Sequence, residues 1–297
     1  MTQQAVEMTT RTLDTQNATI TYDVRPGGDG SQPPLMLIGS PMGAAGFTSL
    51  ATHFPDRTIV TYDPRGSERS KRTDGKSQNW VEEHADDLHR LIQQVGGPVD
   101  LFASSGGAVN ALELVSRHPE DVRVLVAHEP PLATALPDHE AALAAALDVH
   151  ETYMRGGTGP GMAKFIALTS LKGEIPADWT SQPAPDPAAF GLPTEDDGKR
   201  DDPLLGQAIG SAITYQADFD ALRASSTKIV MAAGTESEGE MANRGAYAVA
   251  ERLGTEVAKF PSHHGGFLGG EYGWGGDPDA FAPRLREVLD RAVASRG

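Results

Sequence analysis

Residues 99–117 read Val-Asp-Leu-Phe-Ala-Ser-Ser-Gly-Gly-Ala-Val-Asn-Ala-Leu-Glu-Leu-Val-Ser-Arg. The apolar run at 99–103 follows the breakers Gly96, Gly97 and Pro98 and reads as a buried strand. It stops at Ser104-Ser105-Gly106-Gly107. Apolar residues then recur at helical spacing, at Val109, Leu112 and Val115. Strand, sharp turn with a serine, and helix make the geometry of a nucleophile elbow. Such a turn needs small residues on both sides of the nucleophile, because larger side chains would collide. Ala103 and Gly107 meet that need around Ser105. Ser105 would then stand at a helix N-terminus, where free N–H groups and the helix dipole favour a developing anion. The competing account is a plain polar strand-to-helix turn, since Ala103 stands where the motif usually has glycine. The rest of the chain has to decide.

Outward from this stretch, buried-strand patterns lie at 34–38, 58–62, 122–127, 228–233 and 256–260. Helical patterns lie between them at 47–53, 80–95, 240–253 and 278–294. This alternation predicts right-handed βαβ crossovers and an α/β fold with a mostly parallel central sheet flanked by helices. Residues 9–14 and 18–24 read as an antiparallel hairpin at its edge. From 132 to 226 the rhythm breaks. Helical patterns at 141–153, 161–171 and 203–218 surround a Pro-, Asp- and Gly-dense loop at 175–202, with no buried strand. The expected organisation is a first core part at 1–131, an inserted helical cap at 132–226 and a second core part at 227–297.

The 297 residues carry 25 Lys and Arg against 41 Asp and Glu, a net charge of −16. So acidic a chain should repel nucleic acid and anionic membrane. With no cysteine, disulfides and thiolate metal sites are excluded. Residues 1–16 lack a signal-peptide core and no apolar run approaches a membrane span, so the expected location is the cytoplasm. The expected partner is a small-molecule substrate, with a homodimer left open.

The order of Gly39-Ser40-Pro41, Tyr62-Asp63-Pro64-Arg65-Gly66-Ser67, the Ser105 elbow and Phe260-Pro261-Ser262-His263-His264-Gly265-Gly266-Phe267 resembles the α/β-hydrolase fold. The resemblance covers 15–130 and 225–295, and the insertion falls where that family keeps its variable cap. More narrowly, Ala103-Ser104-Ser105-Gly106 followed by His128-Glu129-Pro130 is similar to the serine lactonases that open zearalenone. Those enzymes take their acid from a His-Glu segment after the next strand.

The residues support the same chemistry independently. A serine hydroxyl is a weak nucleophile and needs an adjacent base held by a third group. His263 and His264 follow the last strand on a Gly-rich loop, near where the elbow points. His53, His84, His89, His118, His139 and His150 fall in or near helical patterns and read as surface residues. The family pattern favours His264 as the base. The family's usual acid position, after the strand at 228–233, holds Ser237, with Glu236 and Glu238 beside it. Glu129, at the end of the strand after the elbow, is the preferred acid, and Glu236 or Glu238 the alternative. The oxyanion hole should combine the N–H of Gly106 with that of Ser40, Met42 being a second option. Ile38 stands where the family usually has histidine. Asp63 and Arg65 read as pins of their own loop.

Trp179, Met154, Phe165 and Tyr215 are the expected pocket walls, within an apolar lid that includes Met162, Leu168 and Phe190. No metal and no organic cofactor are expected. The expectation is a serine hydrolase cleaving an ester or lactone of a small, largely apolar molecule through an acyl-enzyme. Alternatives on the same frame are cofactor-free haloperoxidase or perhydrolase chemistry, C–C bond hydrolysis, and a non-catalytic ligand receptor. Dinucleotide binding is a further rival, but Gly39, Gly43 and Gly46 do not match Gly-x-Gly-x-x-Gly.

Overall fold

The computed structural model describes residues 8–78 and 80–294. Its strands are β1 (Thr9–Thr15), β2 (Ala18–Arg25), β3 (Leu35–Ile38), β4 (Ile59–Tyr62), β5 (Lys71–Arg72), β6 (Val99–Ser104), β7 (Val122–His128), β8 (Lys228–Gly234) and β9 (Val257–Phe260). They form one sheet in the order β1-β2-β4-β3-β6-β7-β8-β9, with β5 added on β2. From β4 to β9 every pairing is parallel, whereas β2 pairs antiparallel with β1, β4 and β5.

Strand order reverses between β3 and β6. The chain leaves β3 toward β4 on one side and leaves β6 toward β7 on the other. The loops at their C-terminal ends therefore diverge and open a crevice, the place where α/β sheets bind ligands. The Ser40 loop and the Ser105 turn sit at its two lips.

The helices are α1 (Thr48–Thr52), α2 (Val81–Val95), α3 (Gly106–Arg117), α4 (His139–Gly156), α5 (Thr158–Thr169), α6 (Ile209–Ala212), α7 (Phe219–Ala224), α8 (Met241–Leu253) and α9 (Pro278–Ala294). Successive strand residues point to opposite faces, and here both faces are covered. Met36, Ile38, Leu101, Ala103 and Leu125 pack against α2, α3 and α8. Leu35, Leu37, Phe102, Val124 and Val126 pack against α1 and α9. This is why these strands read as unbroken apolar runs rather than as alternating ones.

Residues 132–226 add no strand to the sheet and carry their own apolar cluster, centred on Ala142, Ala145, Val149, Tyr153 and Leu205. The helical pattern at 203–218 is not one helix. A π-helical segment, Pro203–Ala208, runs into the short α6, and α7 then starts afresh. Two aspartates set these starts. Asp202 accepts hydrogen bonds from the N–H groups of Leu204 and Leu205, and Asp218 from that of Ala221. No helix among the described residues is long and apolar enough to cross a membrane.

Candidate active site

The β6–α3 turn separates its two serines by strand alternation. Ser104 is the last residue of β6, is buried, and sets its Oγ 3.2 Å from His128 Nδ1. Ser105 is forced into φ 57°, ψ −130°, a sparsely populated region for a side-chain-bearing residue. Its N–H is anchored on His128 O (2.9 Å), and its own carbonyl accepts from Ala108 N (2.9 Å), opening α3. A Cβ on Gly107 would come within 2.8 Å of Gly39 Cα, so the helix can approach the β3 loop only with glycine there.

Glu129 also has a positive φ, 46°, at the end of β7. Its carboxylate is fully buried and fully bonded. Oε1 accepts from Gly234 N (2.8 Å), Ser237 Oγ and Asn243 Nδ2 (3.1 Å), while Oε2 lies 2.6 Å from His264 Nδ1. Burial alone would raise its pKa. The His264 hydrogen bond and charge, helped by the Ser237 hydroxyl, outweigh that and hold it well below the usual glutamate range. Ser237, which stands at the family's usual acid position, thus supports the carboxylate of Glu129. Glu236 and Glu238 are exposed and neither bonds to a histidine.

His264 comes from the loop after β9, and its ring is about one third exposed. Ser105 and His264 line one cavity. Among the described residues no hydrogen bond joins Ser105 Oγ to His264. Such contacts commonly tighten only with substrate in place. His263 is occupied elsewhere. Its Nδ1 accepts from Gly265 N (3.0 Å) and its Nε2 donates to Gly275 O (2.9 Å), which braces the loop. Ser40 and Gly106 line the same cavity, and among the described residues neither backbone N–H donates to a protein acceptor.

Below the site lies His128, wholly buried among Phe102, Phe260, Phe267 and Phe281, its ring 6.1 Å from that of His264. Burial pushes its pKa down to about 4, so it stays neutral at physiological pH. The sequence reading overlooked His128, Ser237 and Asn243 as partners of the site. The signal available for them was position alone: one next to Glu129, the others in and just after the loop that follows β8.

The cavity, about 550 Å³, opens between the strand ends and the helices of 132–226. Val109, Val149, Phe165, Leu168, Ile209 and Ile213 give it apolar walls. Phe165 is thus where the sequence reading put it, but the other three expected wall residues are not. Met154 is 46% exposed, on the outer side of α4. Tyr215 is buried and turned away, donating its hydroxyl to Glu113 (2.8 Å). Trp179 packs against the cluster of the helical segment, where apolar neighbours were close enough to shelter it. Trp179→Ala should therefore cost about 2 kcal/mol of stability, or roughly 5 °C in Tm at this length, with kcat/KM for esters within about threefold. A raised KM at unchanged Tm would return Trp179 to the pocket.

Two other expectations change. His84 is buried, not at the surface. Asp63 does pin its loop through Arg69 and also accepts from Ala44 N (2.8 Å) after β3, but Arg65 reaches across to Asp87 on α2 with two 2.7 Å contacts. One group among the described residues, His89, His118 and Asp121, could ligate a metal ion. It sits at the far end of β7 and does not line the cavity.

Residues 33–166 match the family described as alpha/beta hydrolase fold. Over 287 residues, 94% of this chain and 96% of the relative, the sequence is 34% identical to the uncharacterized hydrolase YraK of Bacillus subtilis (strain 168). A thermophilic esterase from Thermogutta terrifontis superposes with a TM-score of 0.64 at 19% identity, covering 96% of this chain and 99% of its own. A Nitrososphaera gargenis structure from a study of carboxylesterases gives 0.65 at 16% identity, covering 96% and 100%. Sequence identity along nearly the whole chain and the shared fold lead to one conclusion: this chain is a hydrolase of the α/β-hydrolase family.

Proposed function

We propose that this hydrolase uses Ser105, His264 and Glu129 to cleave an ester or lactone bond of a small, largely apolar molecule through an acyl-enzyme. The observation that carries this reading is the 2.6 Å contact between Glu129 and His264 Nδ1, on an imidazole that shares an apolar cavity with Ser105. With Nδ1–H directed at Glu129, Nε2 is the basic nitrogen. It takes the Ser105 proton as Oγ attacks the carbonyl carbon. The oxyanion forms beside the N–H groups of Ser40 and Gly106. His264 then gives the proton to the departing alkoxide, which in a lactone stays tethered to the acyl group. Water, deprotonated by the same imidazole, releases the acid and frees Ser105.

Residues 132–226 act as the cap in this reading, supplying Val149, Phe165, Leu168 and Ile209 as the wall opposite the strand ends. The narrower likeness to zearalenone-opening lactonases is supported by Ala103-Ser104-Ser105-Gly106 and His128-Glu129-Pro130, with the acid after β7 rather than after β8.

The test is turnover of p-nitrophenyl butyrate and of a panel of linear esters and macrocyclic lactones, with and without a serine-reactive phosphonate. Phosphonate-sensitive turnover is expected. Tight binding of these compounds without turnover would favour a receptor. In the same assay His264→Ala should lose about 10³-fold or more in kcat/KM. His263→Ala should lose about tenfold or less, since it braces the loop without facing the serine. The reverse ranking would make His263 the base.

A further inference from the structure

The cavity holds one carboxylate that the mechanism does not use. Glu240 precedes α8 and lines the cavity beside His263 and His264. Among the described residues lining the cavity it is the only acidic one, and no described Lys or Arg joins it there. Its backbone is fixed by Glu240 N to Ser237 O (3.0 Å), Arg244 N to Glu240 O (2.9 Å) and an antiparallel bridge to Lys172. Its side chain is unoccupied. It does not cap α8, and among the described residues it makes no hydrogen bond or ion pair. Lys172 lies near but forms no ion pair with it, and Arg244 is engaged by Asp138 and Gly173 O. Burial and the charge of Glu129 push the Glu240 carboxyl up from its ordinary value.

A partly desolvated carboxylate without a partner is unfavourable. A substrate cation would compensate it. The same cavity presents the indole of Trp274, 57% exposed, on the turn that His263 ties down through Gly275 O. A carboxylate and an indole that line one apolar cavity suit an alkylammonium group, by charge pairing and by cation–π attraction. Anionic substrates are disfavoured by the same carboxylate and by the net charge of −16.

We propose that Glu240 and Trp274 form a cation subsite, so that the favoured substrates are esters or lactones carrying a protonated amine. This rests on the serine-hydrolase reading above. Two isosteric pairs test it by pH-stat at neutral pH, one for each end of the ester. They are 2-(dimethylamino)ethyl hexanoate against 3-methylbutyl hexanoate, and ethyl 5-(dimethylamino)pentanoate against ethyl 6-methylheptanoate. In at least one pair the charged ester should lead in kcat/KM by about tenfold. Glu240→Gln should cut that charged-to-neutral ratio by about tenfold, and Trp274→Ala by about threefold. A charged ester that leads in neither wild-type pair, or a ratio unmoved by Glu240→Gln, overturns the subsite alone. Absence of turnover of all four esters overturns the proposed serine-esterase reading and the subsite with it.

Discussion

Purified Ser105→Ala protein should lose ester and lactone turnover by about 10³-fold or more in kcat, with Tm within a few degrees of wild type. The two effects separate because of where the hydroxyl sits. Ser105 lines the cavity, and its Oγ makes no hydrogen bond among the described residues that folding would miss. Its positive φ is equally costly for alanine, so the strain of the turn does not change. The inner serine gives the contrast. Ser104→Ala removes the hydroxyl that faces His128 inside the core and leaves the nucleophile in place. It should be milder in activity and less stable than Ser105→Ala, because the buried His128 imidazole loses its hydrogen-bond partner. If Ser105→Ala kept its activity while Ser104→Ala lost it, the turn would present the other serine.

Glu129→Gln should lower kcat by about 10⁴-fold, the loss typical of a triad whose acid is made neutral. The geometry supplies the reason. Three donors, Gly234 N, Ser237 Oγ and Asn243 Nδ2, converge on Oε1 and will hold the amide oxygen of glutamine. That leaves the amide NH₂ facing His264 Nδ1. A donor there disfavours the Nδ1–H tautomer, so the proton moves to Nε2 and the imidazole can no longer accept one from Ser105. Glu236→Gln and Glu238→Gln change exposed side chains with no bond to His264 and should stay within about threefold. Crippled Glu236→Gln or Glu238→Gln beside a near-normal Glu129→Gln would move the acid to the loop after β8. Stability adds a second readout. Glu129 is held below the usual range, so its contribution is full above the unfolded-state value near 4.3 and is lost as pH falls below it. Glu129→Gln should therefore lower stability across the neutral and alkaline range and make its fall at acid pH shallower.

The sequence by itself determined the parallel strands and, within a residue or so, where they end. Apolar runs at β3, β4, β6, β7 and β8 must be covered on both faces, and the helices between them allow only right-handed parallel crossovers. Local rules also put Ser105 and Glu129 at strand ends and His263 and His264 together on the Gly-rich loop after the last strand, and the family resemblance chose His264 between them. Only the tertiary structure joined Glu129 to His264, 135 residues apart, and gathered Gly234, Ser237 and Asn243 around the carboxylate. The cavity walls lay beyond sequence reading for a related reason. On the Ala-rich α4 apolar residues occupy more than one side, so the pattern did not say which side meets the sheet and which meets solvent. Packing placed Val149 inward and left Met154 outside. It also gave Tyr215 a partner in Glu113, 102 residues away, which no local spacing encodes. Periodicity specifies which elements form and where they end, whereas the faces that meet across the cavity depend on contacts between distant parts of the chain.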